Sequence, residues 1–167
     1  GEQPPESLIE KVKRIWSEVM PHRTLNFTDG RVTVGSIEEG EYHGKEMSDG
    51  ERVALYLIGQ CLAAPENSVI IVDEPEMHLH KSLVDKLWDR VETELGDKIL
   101  IYITHDLDFA ATRIDAQKIW VKEFCGDNKW NWELVDSEGD LPEGLILEIL
   151  GNRKDVIFCE GDDTSLD

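Results

Sequence analysis

Two short runs of apolar residues, each followed by polar residues, constrain the fold of this 167-residue chain most strongly. The first run is Ser68–Val72, which is followed by the acids Asp73 and Glu74; the second is Ile99–Ile103, which is followed after one residue by His105. Unalternating β-branched runs are typical of strands buried on both faces of a parallel sheet, and we expect that burial here. Because open α/β sheets bind ligands at the carboxyl ends of their strands, these polar residues are the first candidates for a functional site.

The segments around these strands predict an α/β domain. Helices are predicted where apolar residues recur at helical spacing, over Glu6–Met20, Asp49–Ala63, Leu79–Leu95 and, more briefly, Asp106–Thr112. Hairpins are predicted where turn residues separate strand-like segments, at Thr24–Thr28 with Arg31–Ser36 and at Lys118–Phe124 with Lys129–Val135. The polar segment Glu38–Glu46 is predicted to be a loop. Alternating strands and helices favour a mostly parallel core sheet with a β-hairpin.

Composition excludes several classes of function. Thirty-six Asp and Glu against seventeen Lys and Arg give a formal charge of −19, which argues against broad, sequence-independent DNA binding by the whole surface. No apolar run approaches the ~20 residues that cross a bilayer, and no signal-peptide pattern opens the chain, so no membrane partner is expected. Three scattered cysteines indicate neither a disulfide framework nor a zinc cluster. We therefore expect a cytoplasmic protein.

The residues that follow the two strands have the chemistry that phosphoryl transfer needs. Asp73 is a candidate ligand for Mg²⁺, and Glu74 is a candidate to orient or deprotonate the attacking water. His105 could hydrogen-bond a γ-phosphate or that water. Upstream, Ser48 and Gly50 open a predicted helix whose free N–H groups could bind a phosphate. Each feature also has an ordinary structural explanation: acids are common in turns, and Ser48 with a glutamate three residues later forms a capping box.

Taken together and in this order, these motifs resemble the C-terminal half of an ABC-type ATPase domain. Met47–Glu51 stands where that family has its Leu-Ser-Gly-Gly-Gln signature, Ser68–Pro75 matches the Walker B strand, and His105 matches the switch histidine. The segment after Pro75 stands where the family has its D-loop. The resemblance covers roughly residues 41–124.

The resemblance implies a role for each matching residue. Asp73 would bind Mg²⁺, Glu74 would be the catalytic base, and His105 would sense the γ-phosphate of ATP. Such domains form head-to-tail homodimers with ATP between the subunits, so Ser48 and Gly50 would act on the ATP held by the partner. ATP and Mg²⁺ are the implied cofactors.

The sequence departs from the family pattern at several positions. Asp49 replaces the first signature glycine and Glu51 replaces glutamine. The residues Glu76–His80 differ from the transporter pattern and look like the chromosome-maintenance branch and the overcoming-lysogenisation-defect (OLD) class. His78 and His80 are not expected to bind zinc, because residues two apart on a helix do not share a face.

The chain contains no phosphate-binding loop of the form G-x-x-x-x-G-K-[ST]; Gly44-Lys45 is the closest approach. We therefore expect a partial P-loop NTPase domain that lacks the Walker A half and, alone, binds ATP weakly or not at all.

The end of the chain resembles the first strand of a Toprim domain. An apolar segment, Val156–Cys159, is followed by Glu160-Gly161, and the resemblance implies that Glu160 binds Mg²⁺ or acts as acid/base; an ordinary acidic turn is the alternative. The expected organisation is an ATPase portion over residues 1–135, a linker with a helix over 136–155 and the start of a Toprim-like domain over 156–167. DNA or RNA would be a partner of that domain.

Three functions are compatible with these features. The favoured hypothesis is a dimeric ATP switch that controls a Toprim-like nuclease. The alternative is the ATP-binding subunit of an ABC transporter, which Glu76–His80 and Glu160-Gly161 disfavour. A non-catalytic interaction module is the third, although it would have no need of Asp73, Glu74 and His105.

Overall fold

The computed structural model describes residues 4–36 and 40–135, which form parts of two compact units, residues 1–109 and 110–167. The linker and helix predicted over 136–155 and the Toprim-like strand with Glu160 lie outside the described residues. Within residues 4–36 and 40–135, no helix has the length and apolar character needed to cross a membrane.

Among its described residues, the first unit contains three helices, two small sheets and the first half of a fourth, short helix. In chain order its elements are α1 (Leu8–Val19), β1 (Arg23–Thr28), β2 (Arg31–Ser36), β3 (Gly40–His43), a 3₁₀ turn (Gly44–Glu46), α2 (Asp49–Ala63), β4 (Val69–Asp73), α3 (Lys81–Thr93), β5 (Ile99–Ile103) and α4 (Leu107–Thr112), which ends in the second unit. The predicted mixture of helices, a parallel strand pair and hairpins is confirmed.

The antiparallel sheet has the order β1-β2-β3. Asp29 and Gly30 connect β1 to β2 with φ values of +49° and +71°, the left-handed conformations that a tight hairpin turn requires. The prediction of a loop over Glu38–Glu46 is wrong from residue 40 onwards, because Gly40–His43 pairs with β2 and the 3₁₀ turn follows. Pairing satisfies the backbone groups along the second edge of β2, which the polar composition of this segment does not reveal.

Strands β4 and β5 pair in parallel, with Val69 opposite Ile99 and Asp73 opposite Ile103. Their inner side chains pack on the helical core; these are Ile70, Val72, Leu100 and Tyr102. The outer side chains are exposed, from 43% at Ile101 to 62% at Ile71. The prediction that both faces are buried is therefore wrong for the described part of the chain, where helices cover only one face.

Helices α1, α2 and α3 enclose the core of the first unit. Trp16, Ile58, Leu87 and Trp88 are at most 1% exposed, and Tyr102 stacks edge-on against Trp88 with ring centroids 5.0 Å apart. The Trp16 indole Nε1 donates to the carbonyl of Arg23 at 2.8 Å, so the buried ring also satisfies its polar atom.

The second unit contains the predicted hairpin, β6 (Lys118–Gly126) and β7 (Lys129–Val135). Asp127 and Asn128 form its turn with positive φ values. Phe124 and Trp130 contact each other across the strands with ring centroids 4.9 Å apart, so these two aromatic rings pack β6 against β7.

Replacing Leu87 by alanine should lower the free energy of unfolding by about 2–5 kcal/mol, because the side chain is fully buried and a cavity would remain. The same replacement at Leu8, which is 46% exposed on α1, should cost about 0.5 kcal/mol. Urea denaturation of both variants measures the difference; equal losses would contradict this description of the core.

Candidate functional site

The parallel register brings the carboxyl ends of β4 and β5 to one edge. The backbone N–H of Glu74 donates to the carbonyl of Ile103 at 2.8 Å, which continues the ladder one residue past β4. Glu74 then takes a φ of +50°, and the chain turns away from the strand direction. As a result, Glu74 and His105 lie beside each other, as the two apolar runs predicted.

Glu74 and His105 form the central pair of this edge. Nδ1 of His105 lies 2.7 Å from the Glu74 carboxylate. This hydrogen bond lowers the pKa of Glu74 and raises the pKa of His105 above its usual value of 6.5. The histidine side chain is 82% exposed and the glutamate 28%. Among the described residues, no group hydrogen-bonds Nε2 of His105, so this nitrogen is available to a ligand.

A third acid, Glu76, joins this pair and was not predicted as a site residue. Its Oε1 accepts a hydrogen bond from Oγ1 of Thr104 at 2.8 Å, and Thr104 in turn accepts from the N–H of Asp106 at 2.9 Å. Burial raises the pKa of Glu76, and the neighbouring Glu74 carboxylate adds to the effect. The signal in the sequence was a third acid two residues after Glu74, which we had used only as a mark of the family branch.

A group of three residues and one separate acid at this edge offer ligands for a cation. Glu74, Glu76 and His105 place one ligand atom each within 4.8 Å of one another, and the hydrogen bonds to His105 and Thr104 account for that grouping. Asp73 stands apart from them on the exposed outer face of β4, and it has no hydrogen-bond or ion-pair partner among the described residues. A free, exposed carboxylate at a strand end is a hard oxygen ligand of the kind that Mg²⁺ prefers.

Ser48 begins α2 with the capping box that the sequence indicated. The N–H of Glu51 donates to the Ser48 hydroxyl at 3.3 Å, while Ser48 N and Oγ donate to Oε2 of Glu51 at 2.8 and 2.9 Å. Oε1 of Glu51 accepts from the Tyr42 hydroxyl at 2.6 Å and lies 3.2 Å from Nε of Arg23. Burial opposes ionisation of Glu51, but these partners hold its pKa below the usual value. The residue that departs from the family pattern therefore ties the helix to β1 and β3.

The other residues of the α2 tip lie differently. Asp49 is exposed and forms an ion pair with Arg52, which balances its charge on the helix surface. Gly50 faces the segment after β4, since a Cβ there would lie 3.6 Å from the carbonyl of His78. The tip of α2 and the D-loop-like segment are thus neighbours within one chain.

The segment between β4 and α3 is anchored from inside the core. Nε1 of Trp88 donates to the carbonyl of the buried Pro75 at 3.1 Å. His78 lies in the turn with a φ of +64°, and His80 is the N-cap of α3. The predicted helix start at Leu79 is therefore two residues early. Because neither histidine lies within the helix, the argument against zinc from helical faces does not apply. Within the described ranges, neither histidine belongs to a grouping of three potential metal ligands.

Residues 18–110 match the sequence family described as "AAA domain, putative AbiEii toxin, Type IV TA system". The chain belongs to this AAA family. No curated protein matches the chain.

Solved structures similar to this AAA domain include those of SMC ATPases and of Smc head domains. One comes from work on the ATP-driven dimerization and DNA-stimulated activation of SMC ATPases; it has a TM-score of 0.62 and 16% identity, over 87% of this chain and 90% of that chain. The Smc head with a coiled coil and joint from Pyrococcus yayanosii has a TM-score of 0.60 and 15% identity, over 89% of this chain and 29% of that one. An Smc head bound to the C-winged helix domain of ScpA gives 0.58 and 18%, over 77% and 43%. The expected P-loop NTPase fold of the ABC type is thereby confirmed.

The contact between Glu74 and His105 predicts how the pKa of His105 responds to a change at Glu74. Its pKa should lie above 6.5 in the parent protein and fall towards that value in Glu74→Gln, because the amide carries no charge to stabilise the imidazolium. NMR titration of the histidine ring protons measures this.

Asp97→Asn is the matched control for this titration, since it removes an exposed carboxylate from a turn before β5. It should leave the His105 titration unchanged. A His105 curve that is identical in the parent and in Glu74→Gln would show that the two side chains are not paired in solution.

Proposed function

We propose that this AAA domain takes part in ATP hydrolysis at the carboxyl ends of β4 and β5. The observation that carries the proposal is the 2.7 Å contact between Glu74 and His105 at the edge where parallel strands present ligands. Membership of the AAA family and the likeness of the fold to SMC ATPase heads support it.

Each residue has a task in this proposal. Glu74, held ionised by its partner, accepts a hydrogen bond from a water and orients it for attack on the γ-phosphorus. His105 binds Glu74 through Nδ1 and directs Nε2 towards the γ-phosphate, where its raised pKa favours the donor form. Asp73 would hold Mg²⁺, which supplies charge neutralisation for the phosphates. The G-x-x-x-x-G-K-[ST] loop of the complete site is not among these 167 residues.

We infer further that two copies act on each other's ATP. Ser48 and Gly50 at the tip of α2 would contact the γ-phosphate bound by the partner, in line with the ATP-driven dimerization described for the similar SMC ATPases. The Ser48 hydroxyl donates a hydrogen bond to Glu51 in this structure, so a phosphate would have to compete with that carboxylate or bind the backbone N–H groups instead.

The assignment to the OLD-like branch belongs to the same proposal. The sequence Pro75-Glu76-Met77-His78-Leu79-His80 and the later Glu160-Gly161 support an ATP switch that controls a Toprim-like nuclease, with Glu160 as a Mg²⁺ ligand and DNA or RNA as substrate. Cleavage of a plasmid or of an RNA by the full-length protein, with and without ATP, tests this part.

Replacing Glu74 by glutamine should reduce ATP turnover at least about 100-fold, because the amide cannot accept the proton of the attacking water. ATP binding should persist, since the amide keeps the size of the carboxylate. Steady-state hydrolysis and calorimetry on the full-length protein measure the two quantities, with Asp97→Asn as the control that retains both. Turnover of Glu74→Gln at the parental rate would exclude Glu74 as the base.

Mixing two inactive variants tests action between subunits. Ser48→Arg should block hydrolysis at the partner's site, and Glu74→Gln at its own. In an equal mixture, half of the dimers are mixed and each carries one intact site of two, so turnover should recover to about one quarter of the parental value. A mixture no more active than either variant alone would show that Ser48 does not act across a dimer.

A further inference from the structure

We propose that Glu76 is a positioning residue for ATP hydrolysis, which holds the Glu74 carboxylate in the orientation that faces His105. The proposal rests on the proposed function of Glu74 as the base, and it assigns Glu76 no contact with ATP or with the attacking water.

The first observation is the way in which Glu76 is fixed. Its Oε1 accepts a hydrogen bond from the Thr104 hydroxyl, and the Thr104 oxygen accepts one from the N–H of Asp106. The Thr104 hydroxyl therefore donates one hydrogen bond and accepts another, and these two bonds hold its side chain in one rotamer. Glu76, on the turn after β4, is thereby tied to the residues that follow β5.

The second observation is the unused oxygen of Glu76. Oε2 is buried and has no hydrogen-bond partner among the described residues, while a carboxyl oxygen of Glu76 lies within 4.8 Å of Glu74. A buried polar atom without a partner is costly. Burial raises the pKa of Glu76 and so favours its protonated form. In that form Oε2 can donate a hydrogen bond to the Glu74 carboxylate, and this one contact would both satisfy Oε2 and fix Glu74.

The third observation is the backbone at Glu74. Its φ of +50° places the side chain at the start of a turn rather than within the strand, where neighbouring strand residues would confine it. His105 is largely exposed and cannot alone immobilise the carboxylate. Glu74 therefore needs a second side chain, on its buried side, to fix its carboxylate, and Glu76 lies within reach of it there.

Two substitutions separate a hydrogen-bonding role from a merely structural one. Glu76→Gln can still accept from Thr104 and donate to Glu74, whereas Glu76→Ala can do neither. In the full-length protein, kcat should fall about 10- to 100-fold in Glu76→Ala, with KM for ATP changed less than about threefold, because the base is misplaced while binding is retained. Glu76→Gln should restore most of the lost kcat.

Glu94→Ala is the matched control. Glu94 is also a half-buried glutamate, paired with Arg14 and Lys11, but it lies at the end of α3. It should lower stability and leave kcat unchanged. An unchanged kcat in Glu76→Ala, or a kcat in Glu76→Gln as low as in Glu76→Ala, would overturn the proposal.

A second measurement keeps this proposal distinct from the proposed function. At a pH where the imidazole is neutral, ¹⁵N NMR should show the His105 proton on Nδ1 in the parent and in Glu76→Gln, and a mixture of tautomers in Glu76→Ala. If the parent shows no ATP turnover but the three proteins show this tautomer pattern, ATP hydrolysis is rejected and Glu76 is still the residue that orients Glu74. The same tautomer in all three proteins would reject the positioning role whatever the turnover.

Discussion

The parallel pairing of β4 with β5 is the constraint on which the candidate site depends. With Asp73 opposite Ile103, the chain continues from both strands at the same level, and the hydrogen bond from Glu74 to Ile103 extends that register by one residue. A shift of one residue would turn the side chains that follow β5 to the other face. The strand register therefore brings Glu74 and His105 to the same edge, and the turn that begins at Glu74 completes their contact.

The helical core holds that register in place. The inner side chains of both strands pack against the buried core, where Tyr102 of β5 contacts Trp88 of α3. Trp88 also links the core to the turn after β4, because its indole N–H donates to the carbonyl of Pro75. The chemistry-bearing turn is thus attached to fully buried residues on one side and exposed on the other. Such a turn can present charged groups to a ligand without relying on its own few contacts for stability.

Much of the fold could be predicted because the decisive signals are local. Asp29-Gly30 forms a hairpin turn since both residues tolerate positive φ, and Ser48 with Glu51 forms a capping box through contacts three residues apart. Strand β3 was missed because its pairing with β2 depends on a free strand edge and not on an apolar pattern. The exposed outer face of β4 and β5 was missed since an apolar run indicates what a strand prefers and not what covers it.

The sequence by itself determined the residue types of the site and their order: two acids after one apolar run, a histidine after the next, and a helix start upstream. The resemblance that these motifs carry in this order was sufficient to predict an ABC-type fold and to place Glu74 and His105 at the same sheet edge, but it did not predict that the two side chains hydrogen-bond each other. Only the tertiary structure decided that Asp73 lies on the exposed outer face of β4, that Glu51 connects α2 to two strands, and that Glu76 is hydrogen-bonded to Thr104. The physical reason is that these relations are set by strand register, side-chain alternation and burial, which join residues up to 28 positions apart.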